Sequence, residues 1–232
     1  MKILVLVVAT LLSSFSYAQN FKKHFNNYTS LTVSRGIDAT LVKSNSKDLT
    51  FTTHGIDPAG IIVENRGDEL RIKITTKALW EEMQENHWWV RVEVPYDKLA
   101  SLDATTGAKI QSAESINTDR LDVSVSMGAK MELSVKVNNL DVDASMGSSA
   151  DLAGTAESLK VNANMGSVLD MDMLTATYIR AKSSMGSELK VHATKEFDGH
   201  ATMGGTIDVT GNPERFYANT GMGGDIFGGD NN

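Results

Sequence analysis

The sequence contains no cysteine, only three prolines and few aromatic residues, and these shortages narrow the range of structures. Without cysteine the chain can form neither a disulfide nor a lipid anchor on a cysteine. The scarcity of proline suits a sheet in which nearly every backbone N–H is needed as a hydrogen-bond donor. Beyond the N-terminal segment, no stretch is apolar and long enough to span a membrane. Stability therefore has to come from a large hydrophobic core.

The first 18 residues have the three parts of a secretory signal peptide. Lys2 supplies the positive charge, residues 3–12 are apolar, and Ser16-Tyr17-Ala18 offers small residues at the cleavage site. We therefore expect a signal peptide over residues 1–18 and a mature chain that begins at Gln19. The protein is then exported to the periplasm, the cell surface or the medium, with no integral membrane segment after the signal is removed.

The charge balance is acidic, with 22 basic and 29 acidic residues and a formal net charge of −7. Removal of the predicted signal takes away Lys2 and leaves 21 basic residues against 29 acidic ones, a net charge of −8. An acidic surface argues against nucleic acid or anionic lipid as the partner.

One short phrase recurs through the second half of the chain. The glycines of its seven copies, from Gly107 to Gly223, are separated by 21, 19, 19, 20, 18 and 19 residues. A steady period near 20 residues is typical of stacked repeats, in which each unit buries its apolar face against its neighbours. The copies are Thr105-Thr106-Gly107, Ser126-Met127-Gly128, Ser145-Met146-Gly147, Asn164-Met165-Gly166, Ser184-Met185-Gly186, Thr202-Met203-Gly204 and Gly221-Met222-Gly223.

Apolar residues alternate with polar ones on both sides of this phrase. Leu121, Val123 and Val125 lead up to Met127, and the same parity continues as Ala129 and Met131. Alternation of period two indicates strands with one buried face. The sequence therefore predicts an all-β, single-stranded β-helix-like solenoid of six to seven coils, each of about 19–20 residues.

By this parity the methionines face the interior, where thioethers fill irregular space. The alternative is that the stacked methionines bind a soft metal ion or sense oxidation. Inward parity and the absence of cysteine or nearby histidine favour packing, so Met146→Asp is expected to cost several kcal/mol. The glycine has outward parity and is expected to bend the chain through a positive φ or a bulge.

Residues 19–98 are β-rich but irregular, and we expect them to close one end of the repeat region, residues 99–227, within the same domain. In residues 61–74, two apolar strand-like runs flank the turn-forming segment Asn65-Arg66-Gly67-Asp68, and this pattern predicts a hairpin. Residues 76–86 have the composition of a short helix or an exposed loop. Residues 228–232 form a polar tail.

Outward-facing carboxylates are the first candidates for a site. Asp141 and Asp143 are expected to lie near Asp122 on one face, where paired carboxylates could hydrolyse polysaccharide or bind calcium. Exposed strand positions are ordinarily polar for solubility, however, so we expect no catalytic residues. No two histidines have a metal-ligand spacing, and phosphate-binding and nucleophile-elbow motifs are absent, so no metal or cofactor is predicted.

Tryptophan provides the second set of candidates. If Val90 faces inward, Trp88 shares its side and Trp89 points outward. Trp89, with Trp80 nearby in sequence, could offer an aromatic platform to a sugar ring or a partner protein. The alternative is that Trp89 packs beneath residues 77–87.

The order of several short matches resembles the head GIN domain family of bacterial exported proteins, described as "putative auto-transporter adhesins". The resemblance covers about residues 25–227 and implies a right-handed β-helix-like fold and a surface or periplasmic location, with no catalytic residues to transfer. Family members usually carry Ser before the repeated Gly, where this chain mostly carries Met. The matches are Val33–Leu41, Leu70–Ile72, Val92–Pro95, the repeated small-Gly-[AS] phrases and Gly211–Pro213.

The leading hypothesis is a non-enzymatic, exported β-helix that presents a flat surface to a glycan or a surface protein at the cell envelope, with assembly as a homo-oligomer also open. One alternative is a carbohydrate-active enzyme that uses the outward Asp column. The other is a structural envelope protein without a ligand.

Overall fold

The computed structural model describes residues 19–78 and 88–228. The predicted signal peptide, Trp80, most of the 77–87 segment and the last four residues lie outside the described residues. Residues 76–78, directly before the gap, are helical.

The protein is a β-solenoid of about seven turns, with 72% of the described residues in strands and 3% in helix, which confirms the predicted fold class. A short 3-10 helix spans Pro58–Gly60. The described strands are β1 (Gln19–His24), β2 (Ser30–Ser34), β3 (Ile37–Lys43), β4 (Asp48–His54), β5 (Ile61–Arg66), β6 (Glu69–Ile74), β7 (Trp89–Tyr96), β8 (Ser101–Thr105), β9 (Lys109–Ser112), β10 (Ile116–Ser126), β11 (Lys130–Ala144), β12 (Ser149–Ala163), β13 (Val168–Ser184), β14 (Glu188–Thr202), β15 (Thr206–Gly211), β16 (Arg215–Gly221) and β17 (Asp225–Gly228).

The coils stack as parallel strands in a register that places equivalent residues above one another. β10 pairs with β11, β11 with β12, β12 with β13 and β13 with β14. Because the repeat length nearly equals one coil, apolar positions coincide along the stack and form continuous buried columns. One column, with every member at most 2% exposed, consists of Leu121, Leu140, Leu159, Ile179 and Phe197.

Each long strand bends where two consecutive side chains face outward. In β11 the inward–outward alternation breaks at Asn138 and Asn139, and in β13 it breaks at Asp172 and Met173. Gly154 of β12, with φ of 118°, corresponds to the β13 bend, because its register partner is Leu174, whereas Asn139 of β11 is in register with Ser158. A Cβ at Gly154 would lie 2.0 Å from a backbone oxygen of the preceding coil, so only glycine fits.

The methionines of the repeated phrase lie on the surface, and the prediction that they fill the core was wrong. Met127, Met146, Met165, Met185 and Met203 have φ between 50° and 54° and are 47–50% exposed, and Met222 is 81% exposed. The glycine after each also has a positive φ, as predicted. Two consecutive left-handed residues form a type I′ turn. Because the turn interrupts the extended backbone, period-two parity does not apply to the methionine, although alternation resumes at the buried Ala129.

These turns are joined to one another along the solenoid by backbone hydrogen bonds. The N–H of Gly128 donates to the carbonyl of Met146 at 3.1 Å, and that of Gly147 donates to Met165 at 3.0 Å. The same contact links Gly36 to Thr106 and Gly107 to Met127, so Arg35-Gly36 and Thr106-Gly107 belong to the same column. We call this column the turn ridge.

A buried serine supports three of the turns from inside. Ser148 accepts the Ser145 N–H at 3.1 Å and donates to the Val125 carbonyl of the preceding coil at 2.9 Å. Ser167 and Ser187 make the equivalent contacts. Each hydroxyl is therefore satisfied in the core, which removes the cost of burying it.

The N-terminal end is built differently, with antiparallel strands. β6 and β7 lie parallel to β2 and β3, while β5 pairs antiparallel with β6, β4 with β7, and β1 with β4. The predicted hairpin over residues 61–74 is confirmed, with Arg66 opposite Glu69 across a two-residue turn that begins at Gly67. Antiparallel strands thus cover the edge that a parallel coil would leave open.

The surface position of the turn ridge can be tested by substitution at Met146. Asn tolerates a positive φ better than Met, so Met146→Asn is expected to leave the free energy of unfolding unchanged or to raise it by up to about 1 kcal/mol. The reference variant Leu159→Ala, in the buried column, should lose about 2–5 kcal/mol. Urea unfolding followed by circular dichroism measures both. A loss at Met146 as large as that at Leu159 would contradict the assignment.

Candidate functional site

The outward side chains on the strand segments that precede the turn ridge form one continuous surface, which we call the polar face. Its inward neighbours are the buried columns, so alternation alone directs these side chains to solvent. Parallel register places them in columns across successive coils. The segments that contribute are 120–124, 139–143, 158–162, 178–182, 196–200 and 215–219.

An ion-pair network occupies the middle of the polar face. Arg120 contacts Asp122 at 2.9 Å and Asp141 at 2.6 Å, and Lys160 lies 3.4 Å from the other oxygen of Asp141. Asp122 and Asp141 are register partners, as the sequence predicted. The hydrogen bond from Arg120 to Asp122, with the charges of both carboxylates, raises the pKa of Arg120. The guanidinium thus offsets the repulsion between two stacked carboxylates.

A groove of about 400 Å³ opens beside this network. A second groove of about 260 Å³ shares Arg120, Asp141 and Lys160 and includes Asp143, which accepts a hydrogen bond from Asn162 at 2.7 Å. The structure therefore brings Asp141 and Asp143 to adjoining grooves. The larger groove is lined in part by Arg120, Asp141, Lys160, Tyr178, Arg180 and Glu196.

Sequence reasoning missed Tyr178 in the larger groove, together with Arg120, Arg180 and Glu196. The side chain of Tyr178 is 39% exposed, and Arg180 has the same outward parity two residues later in β13. An aromatic ring at an outward strand position directly before the buried Ile179 was the available signal, because such positions are ordinarily small or charged.

Trp89 lies on the other side of the turn ridge and does not join these residues. It begins β7, which stacks through β3 and β9 onto the first half of β11, whereas Asp141 and Asp143 are in the second half. Its ring stacks on His54 at a centroid distance of 6.0 Å, and the Arg91 guanidinium lies 4.6 Å from its centroid. These intramolecular contacts use surface that a ligand would need. Trp88, as expected, packs partly buried against the core.

A second acidic column lies on the face that follows the turn ridge. Glu132, Asp151 and Asp170 are register partners in three successive coils. Partial burial, followed by the negative charges of Asp170 and Glu132, raises the pKa of Asp151. Within residues 19–78 and 88–228, no group of three or more histidine and carboxylate side chains is placed to hold a metal ion.

Comparison with known proteins identifies related sequences and structures. Residues 27–213 match the model of a family described as "Putative auto-transporter adhesin, head GIN domain". No curated protein sequence matches the chain. Across the described residues, no helix has the length and apolar character that a transmembrane span requires.

Three solved structures share the fold at low sequence identity. A putative adhesin from Bacteroides fragilis has a TM-score of 0.75 at 16% identity, covering 90% of this chain and 96% of its own. A putative adhesin from Parabacteroides distasonis has a TM-score of 0.69 at 16% identity, covering 92% and 98%. A putative lipid binding protein from the same species has a TM-score of 0.64 at 14% identity, covering 90% and 96%. At these identities the similarity establishes the fold alone.

The acidic column should make the free energy of unfolding depend on pH, and removal of one of its charges should reveal this dependence. Because the pKa of Asp151 is raised in the folded chain, the folded state binds its proton more readily, and stability is lost as pH rises above the ordinary value of 3.8. Asp151→Asn should therefore raise the free energy of unfolding by about 0.5 kcal/mol at pH 7 and have no effect at pH 3.

Asp208→Asn is the matched control, because the register partner of Asp208 is Lys190. This variant should gain no stability at pH 7. Thermal unfolding of both variants across this pH range checks the pair, and an equal gain in both would show that stacked like charges are not the cause.

Proposed function

Because the chain belongs to the head GIN domain family, we propose that it is an exported, non-enzymatic adhesin-like protein whose polar face binds an acidic glycan at the cell envelope. The family description and the adhesin-like structural neighbours support the general class. Export is supported by the signal-like composition of residues 1–18. The groove beside Tyr178 is the observation that favours a glycan.

The lining of this groove has the chemistry that sugar recognition requires. The exposed ring of Tyr178 can stack on the apolar face of a pyranose, and its hydroxyl can donate or accept a hydrogen bond. Glu196, at the groove wall, accepts hydrogen bonds from Arg215, which fixes its carboxylate. The groove therefore combines one apolar surface with fixed polar groups, as small-ligand sites generally do.

Although the protein as a whole is acidic, the lining of this groove includes Arg120, Lys160 and Arg180 against Asp141 and Glu196, and this local charge favours an acidic glycan. Arg120 and Lys160 are engaged by Asp141, but Arg180 has no ion-pair partner among the described residues. A planar guanidinium binds a carboxylate through two parallel hydrogen bonds. Arg180, with the same outward parity as Tyr178, is thus the residue that would bind the carboxylate of a uronic or sialic acid whose ring stacks on the tyrosine.

The contacts of the carboxylates favour binding over hydrolysis. Glycoside hydrolysis needs one carboxyl group to protonate the leaving oxygen and another to attack the sugar or to activate water. One oxygen of Asp141 contacts Lys160 and the other contacts Arg120, while Asp143 is bonded to Asn162. In this arrangement Asp141 holds the side chains of Arg120 and Lys160 in position at the groove.

The proposal predicts the loss of glycan binding on substitution in the groove. Tyr178→Ala should weaken binding of an acidic oligosaccharide at least tenfold, by about 1.4 kcal/mol or more, because the stacking surface is removed. Arg180→Ala should abolish the preference for acidic over neutral glycans. Array binding followed by calorimetry on the mature protein measures both effects.

Tyr217→Ala is the matched control, since Tyr217 is an exposed tyrosine on the same face but does not line this groove. It should bind like the parent. Equal binding by the parent and Tyr178→Ala would refute the assignment of the groove. Release of reducing or unsaturated ends, lost in Asp141→Asn and Asp143→Asn, would instead indicate an enzyme.

A further inference from the structure

The methionines of the turn ridge are not explained by folding. Arg35 and Thr106 adopt the same left-handed conformation in the same column, with φ of 63° and 55°. The turn therefore does not require methionine, and Asn, Asp or Gly would suit it better. Half-exposed side chains also contribute little to the core. Six coils each carry a thioether at the equivalent position of the turn, and this repetition points to a use for the sulfur itself.

Neighbouring ridge side chains are close enough to act together. Successive coils are about 4.8 Å apart, and a methionine side chain has three rotatable bonds. Contact along the ridge is seen directly where the Thr106 hydroxyl lies 3.9 Å from the sulfur of Met127. Sulfur atoms from two or three successive turns can therefore converge on one point above the ridge.

The ridge is also open from one side. A Cβ added at Gly128, Gly147, Gly166, Gly186 or Gly204 would meet no atom within 4 Å. The glycines thus form a strip without side chains along the whole row of thioethers. An ion or small ligand can reach the sulfurs along this strip without displacing any group.

We propose that three successive thioethers of the turn ridge, such as those of Met146, Met165 and Met185, bind a soft monovalent cation of the Cu(I) type. Thioethers are neutral, polarizable ligands that select Cu(I) over hard cations. The residues directly before these methionines are Ser145, Asn164 and Ser184, so the ligand set carries no charge and suits an ion of single charge. Six methionines allow two such sites.

Silver(I), a redox-stable ion of the same class, provides the probe. In protein labelled with ¹³C at the methionine methyl groups, Ag(I) should shift the signals of the six ridge methionines and saturate at two ions per chain. Met131 and Met171, which are buried, should not shift. Met173 is the internal control for an isolated thioether, because it is 75% exposed but lies away from the ridge. Ridge sites should bind roughly a hundredfold tighter than Met173, since several ligands are held together.

Met146→Leu, Met165→Leu and Met185→Leu combined keep the apolar surface and remove the sulfur. This variant should lose one of the two sites and should withdraw less Cu(I) from a chromophoric chelator than the parent does. If the ridge and Met173 bind Ag(I) equally, or if the triple variant binds as the parent does, the proposal is overturned. Because the comparison with Met173 uses the unsubstituted protein, it stands even if the variant fails to fold.

Discussion

The structure depends on the two-residue left-handed turn that closes each coil and on the hydrogen bond that joins it to the next. The Met-Gly pair forms a tight turn between two strands, and the glycine N–H donates to the carbonyl of the residue before the glycine in the following coil. Because the turns from Gly36 to Gly186 are each bonded to the next at the same point, these hydrogen bonds oppose slippage of the coils relative to one another. Constant register in turn aligns the aliphatic columns and the outward columns of polar side chains.

The turn ridge also divides the surface into two faces with different chemistry. Segments that precede it carry the ion pairs around Arg120 and the groove beside Tyr178. Segments that follow it carry the acidic column of Glu132, Asp151 and Asp170. A repeated scaffold can vary these exposed positions from coil to coil without changing the core, because only the inward positions determine packing. Binding specificity and fold are thus encoded at alternate residues of the same strands.

The sequence predicts the fold well because spacing and alternation are properties of the backbone. The glycine period indicated the solenoid, and alternation identified Leu121, Val123 and Val125 as core. The same alternation misassigned Met127, because a parity rule assumes extended backbone and cannot reveal a pair of positive φ angles. The neighbourhood of Asp122 and Asp141 followed from the period, whereas the groove depends on Tyr178 and Arg180 from another coil. Only the three-dimensional structure shows which side chains from different coils lie next to one another.

The account is tested most directly by residue-resolved methionine oxidation of the folded protein with dilute hydrogen peroxide, read by peptide mass spectrometry. Exposed thioethers are oxidised to sulfoxides, and buried ones are protected until the chain unfolds. The structure predicts rapid oxidation of the six ridge methionines and of Met173, with Met131 and Met171 protected. Oxidation of Met146 and Met165 only as slow as that of Met131 would place the ridge inside the core and contradict the left-handed turn as the element that sets the register.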